Sequence, residues 1–240
     1  MQYIEDNYDK WKRHDEEQEE REKAAQLLWN DGVEQETYSA RNQIEELLLL
    51  TCSEDPEGVR RLLDHMEEIG FYEVPCSGGK HLARAGGLAE HSLNVAHYAM
   101  LLLKAWYEEP YYSQWADSVI LCSLLHDIGK CGQFGKTGYV PNMVKDGRPT
   151  QSDPEQKYKQ SEDKPYKVNP ELLNVPHEVR SLSIIQQFIE LSEDEYYAIL
   201  YHNGLYGPFY REINNKETAL YMILHFADMW CSRIVEMEED

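Results

Sequence analysis

The sequence predicts a mainly α-helical fold, and three observations carry that expectation. Apolar residues recur at helical spacing, as at Ile44, Leu47 and Leu48 and again at Val59, Leu62, Leu63, Met66 and Ile69. Proline and glycine stand where helices should begin and end, with Pro56 opening the second stripe and Gly70 closing it. The turn signal Asp146-Gly147 sits inside a stretch without helical pattern, so β structure is expected as a small hairpin insertion only.

Taken in order, residues 1–40 form an acidic helical extension. They include the run Asp15-Glu16-Glu17-Gln18-Glu19-Glu20-Arg21-Glu22-Lys23, with Trp11, Leu27, Leu28 and Trp29 as the few packing residues. Residues 41–240 read as one domain. Two amphipathic helices come first, followed by a loop at 76–87 holding Gly78, Gly79, Gly86 and Gly87. A long apolar helix is expected at 88–106 and another at about 114–127, stopped by Gly129 and Gly132. Residues 131–176, with six prolines and a polar cluster, are too long for a passive connection and are read as an excursion over a binding site. Helical spacing returns at 177–191, 193–201 and 217–237.

Composition narrows the function classes. The 240 residues carry 23 Lys+Arg against 44 Asp+Glu, a formal charge of −21, which disfavours long nucleic acid as a partner. The hydrophobic share of 42% is that of a chain with a core to bury. No apolar run approaches the ~20 residues of a membrane-spanning helix, and the first residues lack a secretory pattern, so the expectation is a cytoplasmic protein without a membrane partner. The five cysteines show no C-x-x-C pair and read as reduced thiols. A homo-oligomer remains open.

The chemistry should lie among nine histidines. His126 and Asp127 are adjacent at the end of an apolar helix. His91 lies among Leu88, Leu93, Val95 and Ala96, and Asp228 among Leu224, Phe226, Ala227, Met229 and Trp230. A carboxylate on such a face needs a cation to meet it, and a metal is one such partner. His14 and His65 read as surface residues, and His97 stands about 240° around the helix from His91. His225 reads as a core or rim histidine, and His81 is a candidate for a pocket rim.

This arrangement resembles the HD superfamily of metal-dependent phosphohydrolases, defined by a histidine, a His-Asp pair on a later helix and a distant aspartate. The local signatures are Gly86-Gly87-Leu88-Ala89-Glu90-His91-Ser92 and His126-Asp127-Ile128-Gly129-Lys130. The first is similar to a stretch in HD-type 3′–5′ exoribonucleases, whose preceding OB domain has no counterpart in the acidic start of this chain. The resemblance covers about residues 80–233 and implies an HD-domain helical bundle. His177 and His202 extend the order to H…HD…H…H…D, which resembles the subset with a dinuclear centre. That resemblance implies His91, His126, Asp127 and Asp228 on one ion, with Asp127 bridging to a second held by His177 and His202. Imidazole and carboxylate suit divalent Fe, Mn, Co, Zn or Mg, and two ions are expected.

The implied reaction is hydrolysis of a phosphate ester in a nucleotide or related small phosphorylated compound by a metal-activated water. Asp127 and Lys130 are the catalytic candidates, Lys130 neutralising charge on the phosphate. Arg84, Lys130, Lys145, Arg180, Tyr206 and Arg211 are the substrate-binding candidates, with Lys80, Arg148 and Tyr210 nearby. Glu90 and Glu178, each beside a ligand histidine, are candidates to orient imidazoles. The same order also resembles the dinuclear iron oxygenases, myo-inositol oxygenase and its phosphonate-cleaving relatives. A non-catalytic nucleotide-binding protein is the third reading.

Overall fold

The structure, a computed structural model, describes residues 39–149, 151 and 154–237. The acidic extension expected at residues 1–40 therefore falls almost wholly outside the described residues. Among the described residues the fold is a helical bundle with a strand-bearing excursion.

Helix α1 (Ala40–Thr51) opens on Ser39, whose side chain accepts from Asn42 N, and α2 (Pro56–Glu68) on Asp55, which accepts from Gly58 N. Each cap satisfies one of the backbone donors that a helix start leaves without an internal partner. The long helix α3 (Gly87–Trp106) follows Gly86, held at φ 77°, a left-handed conformation that glycine adopts without penalty. Helix α4 (Tyr111–Leu125) packs along α3, and α8 (Ala219–Trp230) closes against both. Between them come α5 (His177–Ile185), α6 (Glu193–Tyr201) and the short α7 (Tyr210–Ile213). Helix α6 begins with a reciprocal cap between Ser192 and Glu195, and it packs on α8.

The core joins Ile44, Leu47 and Leu48 of α1, Leu62 and Met66 of α2, Leu88, Val95 and Leu103 of α3, and Ile120, Leu124 and Leu125 of α4, all almost fully buried. No helix among the described residues is long and apolar enough to cross a membrane.

Three boundaries differ from the sequence pattern. Helix α4 stops at Leu125, with His126 as its cap, and a 3₁₀ turn (Ile128–Cys131) takes over, so Asp127 lies between two helical segments. Helix α5 ends at Ile185, six residues short of expectation. The last helix does not run on to residue 237: after Trp230 it widens into a π turn (Cys231–Val235) that delivers Glu236.

The excursion holds more order than one hairpin. Strand β1 (Gly132–Gln133) pairs with β2 (Lys136–Thr137), β3 (Tyr139–Pro141) with β6 (Tyr166–Val168), and β4 (Met143–Asp146) with β5 (Lys157–Gln160), all antiparallel. The expected hairpin is present, but Asp146 is the last residue of β4 and pairs with Lys157, so the two strands are not joined by a two-residue turn at Asp146-Gly147. The excursion is pinned back by Tyr166 N donating to Gly78 O in the loop before α3, and onto the bundle by Arg180 Nη2 of α5 donating to Leu173 O.

The 3₁₀ turn sits directly on the start of α5. Gly129 N donates to Ser181 Oγ at 2.9 Å, and a Cβ at Gly129 would lie 2.1 Å from His177 O. No rotamer relieves a clash between Cβ and backbone. Gly129→Ala should therefore push α5 away and destabilise the protein by about 1–3 kcal/mol, as overpacking commonly does. Thermal unfolding of the variant beside wild type checks this, and an unchanged midpoint would show that the two segments have slack.

Candidate metal centre

Asp127 reaches the middle of the bundle because α4 ends just before it and because Gly129 lets the following turn press against α5. Its side chain is 1% exposed and its two oxygens face different neighbours. Oδ2 lies 3.3 Å from His126 Nε2 and 3.6 Å from His91 Nε2, whose nitrogen is in turn 3.2 Å from Asp228 Oδ1. Oδ1 lies 3.1 Å from His177 Nε2 and 3.5 Å from His202 Nε2. The six residues singled out in sequence thus converge from α3, α4, α5, α6 and α8 on one point. The ligand atoms of His91, His126 and Asp228, and likewise those of His126, Asp127 and His202, lie within 4.8 Å of one another.

The imidazoles are aimed by their other nitrogens. His126 Nδ1 faces Ser123 O at 2.8 Å and His202 Nδ1 faces Ile199 O at 2.8 Å. A carbonyl can only accept, so each Nδ1 carries the proton and each Nε2 presents a lone pair to the centre. His91 Nδ1 meets the Glu236 carboxylate at 2.9 Å, and Asn94 Nδ2 holds the same carboxylate at 3.0 Å. His225 Nδ1 donates to His202 O at 2.7 Å, so this histidine fixes the backbone beneath a centre residue.

Three buried atoms here make no hydrogen bond with the described residues: His91 Nε2, His126 Nε2 and Asp127 Oδ1. Buried acceptors without donors are costly and uncommon. Convergent lone pairs on imidazole and carboxylate are what a divalent cation takes, so the residues present fit the group that the pattern implies.

Lys130, one turn beyond Asp127, places Nζ 2.5 Å from Asp127 Oδ2 and 3.7 Å from Cys76 Sγ. Burial by itself would raise the Asp127 carboxyl, but the Lys130 ammonium and His126 outweigh it and hold it well below the usual carboxylate range. Burial would lower Lys130, and Asp127 and Cys76 reverse that, keeping it charged.

The other sequence candidates are distributed unevenly. Arg84 is exposed and pairs with Glu90, which therefore serves Arg84 where an orienting contact to His91 was expected. Glu178 is buried and accepts from Asn203 Nδ2 at 2.7 Å, its other oxygen 3.6 Å from His177 Nδ1. Lys145 is exposed on β4. Arg180 is a correction to the substrate-binding set: it is buried, with Nη2 donating to Leu173 O at 2.7 Å and Nη1 to Gln133 Oε1, so it ties the excursion to α5. Tyr206 is exposed, with Arg233 over its ring at 4.2 Å, and Arg211 donates to Tyr210 Oη.

Sequence reasoning missed Glu236, Asn203 and Cys76. Glu236 belongs to an acidic run at the end of the chain that reads as solvated. Asn203 Nδ2 stands 2.9 Å from His202 Nε2 and 3.2 Å from His177 Nε2; its adjacency to His202 was the one available signal. Cys76 is fully buried beside Lys130 and His81.

Removing the Lys130 charge tests the electrostatics directly. In chelated protein Lys130→Met leaves Asp127 buried beside no ammonium, and stability should fall by about 3 kcal/mol or more at neutral pH. Because Asp127 is depressed in the folded state, the pair's contribution is full above the ordinary carboxylate range and fades as pH falls through the depressed value. Unfolding curves of variant and wild type should then converge in acid; a constant gap would assign the loss to packing.

The family model described as HD domain matches residues 88–228, which begins in α3 and ends at Asp228. Neither the curated proteins nor the solved structures hold a match to the chain. HD domains are commonly metal-dependent hydrolases, and the His/Asp cluster around Asp127 fits their metal-binding pattern. With the match spanning more than half of its length and ending on the centre's own aspartate, this chain belongs to the HD domain family.

Proposed function

We propose that the chain hydrolyses a phosphate ester bond of a nucleotide or a related small phosphorylated compound at a dinuclear centre bridged by Asp127. One observation carries this reading: the two oxygens of a single buried carboxylate face two separate sets of imidazoles. His91, His126, Asp228 and Asp127 Oδ2 would hold one divalent ion, and His177, His202 and Asp127 Oδ1 the other. When bound, such ions supply a water acidified to near-neutral pKa and Lewis-acid stabilisation of phosphoryl oxygens.

The chain's own groups set the conditions for that chemistry. Protons fixed on Nδ1 of His126 and His202 keep both rings in the tautomer that binds cations. The burial of His91, His126, Asp127 and His202 excludes bulk solvent, which strengthens every electrostatic interaction at the reacting phosphate. Lys130 is the cation best placed to meet a phosphoryl oxygen, because its ammonium already stands at Asp127 Oδ2 and its side chain keeps 15% exposure. Arg84, Lys145, Tyr206 and Arg211 are exposed groups available to the rest of a phosphorylated ligand. Among them Tyr206 follows His202 by four residues and offers a ring for a base to stack on.

Protein purified without oxygen or added metal should carry about two divalent ions at the Asp127 centre, and phosphate release from a panel of nucleotides and phosphodiesters should depend on them. Asp127→Ala should abolish turnover and metal retention at this centre, a larger loss than the about 10–100-fold that an outer partner costs, with the far-UV circular dichroism unchanged. Retention of metal and activity in that variant would refute the assignment. Oxygen uptake by the iron-loaded protein without phosphate release would move the centre to oxygenase chemistry.

A further inference from the structure

A second convergence of metal-ligating side chains stands beside the centre, and the hydrolytic reading leaves it without a task. The loop from Cys76 to His81 closes tightly on itself. Cys76 N donates to Leu82 O at 3.1 Å, and Ser77 Oγ accepts the backbone N–H groups of Gly79, Lys80 and His81 while donating to His81 O. That closure sets Cys76 Sγ 3.4 Å from His81 Nε2.

Glu236 comes to the same place from the far end of the chain. The π turn after α8, closed by Glu236 N donating to Cys231 O at 3.0 Å, swings its carboxylate inward, and Oε2 lies 4.0 Å from His81 Nε2. Cys76 and Glu236 are buried and the His81 side chain is 13% exposed. Cys76, His81 and His91 present ligand atoms all within 4.8 Å of one another.

The two separations measured from His81 Nε2 can be compared with those around a tetrahedral ion. Zinc bonds of about 2.3 Å to sulfur and about 2.0–2.2 Å to nitrogen and oxygen put S and N about 3.6 Å apart and N and O about 3.4 Å apart. The Sγ–Nε2 distance already matches, and the carboxylate has to close by about half an ångström, within the reach of a rotamer adjustment. A thiolate among the ligands selects zinc-class or softer ions over magnesium or manganese. Lys130 Nζ donates to Sγ at 3.7 Å.

We propose that Cys76, His81 and Glu236 form a separate thiolate-bearing site for a zinc-class ion, adjoining the Asp127 centre. Through Glu236 such an ion would bear on His91, whose Nδ1 rests on the same carboxylate at 2.9 Å. The site would thereby couple the end of α8 to the imidazole that α3 gives to the centre.

Cobalt titration of the chelated full chain tests this without reference to activity. Wild type should develop a thiolate-to-cobalt charge-transfer band, and Asp127→Ala, which disables only the neighbouring centre, should keep it. Cys76→Ser and His81→Ala should each lose the band, and zinc content should fall by about one ion per chain in both. X-ray absorption on zinc-loaded wild type should show a sulfur neighbour, which protects the test if a variant fails to fold. Absence of the band and of the sulfur neighbour in wild type overturns the proposal. So does a band that survives Cys76→Ser, or one that vanishes in Asp127→Ala, since the latter would place the sulfur on the Asp127 centre.

Discussion

The rest of this structure is arranged around one buried carboxylate. Asp127 sits where α4 has ended and the next turn has not begun, and its side chain is pointed into the bundle with an oxygen toward each of two groups of imidazoles. A residue inside a regular helix would present its carboxylate to one face only, because neighbouring side chains diverge by about 100°. The break after Leu125 lets His126 and Asp127 address the same point, and Gly129 lets α5 approach closely enough to bring His177 to the second oxygen. The excursion depends on the same contact, since residues 169–176 carry its last strand into α5 and Arg180 of that helix holds Leu173 O.

Orientation comes from the outer hydrogen bonds. Backbone carbonyls one turn earlier fix His126 and His202, so those two rings are set by helix geometry itself, and little else has to be specified. His91 differs, because its Nδ1 is held by a side chain from 145 residues away. The centre therefore contains two histidines whose aim is local and one whose aim depends on the chain end being in place.

That division also explains what could be read in the sequence. Helix spacing, the Pro56 start and the breaks at Gly70 and Gly129 are local signals, and the bundle follows from them. His91, the His126-Asp127 pair and Asp228 were visible because polar groups inside apolar stripes violate the burial pattern, whereas His177 and His202 stood out only through the resemblance to the dinuclear subset. Glu236 was not, because nothing near it in sequence distinguishes a carboxylate that a π turn swings inward from one left in water. Cys76 reads as any core cysteine until the loop closure places His81 against it. The β1–β2 and β3–β6 pairs escaped as well: each of these strands is two or three residues long, too short for an alternation of apolar and polar positions to show. Arg180 illustrates the opposite error, since a cation near a ligand histidine looks like a substrate group in sequence but is buried on a carbonyl in space.

The charge within the cluster argues that it exists for binding and contributes little to folding. Asp127, Glu178 and Glu236 are nearly inaccessible and Asp228 is 16% exposed, while the Lys130 ammonium pairs with Asp127. Several buried carboxylates against one ammonium would be costly if the set had only to hold the fold together, and well-packed apolar residues would do that better. The folding energy has to come from the apolar layers of α1 to α4 and α8, which are nearly sealed from water. A bundle with that core can carry a cluster that is short of positive charge at its centre. The shortage is what makes the cluster a receptor for divalent cations, and the geometry around Asp127 determines how many it can receive and from which side chains.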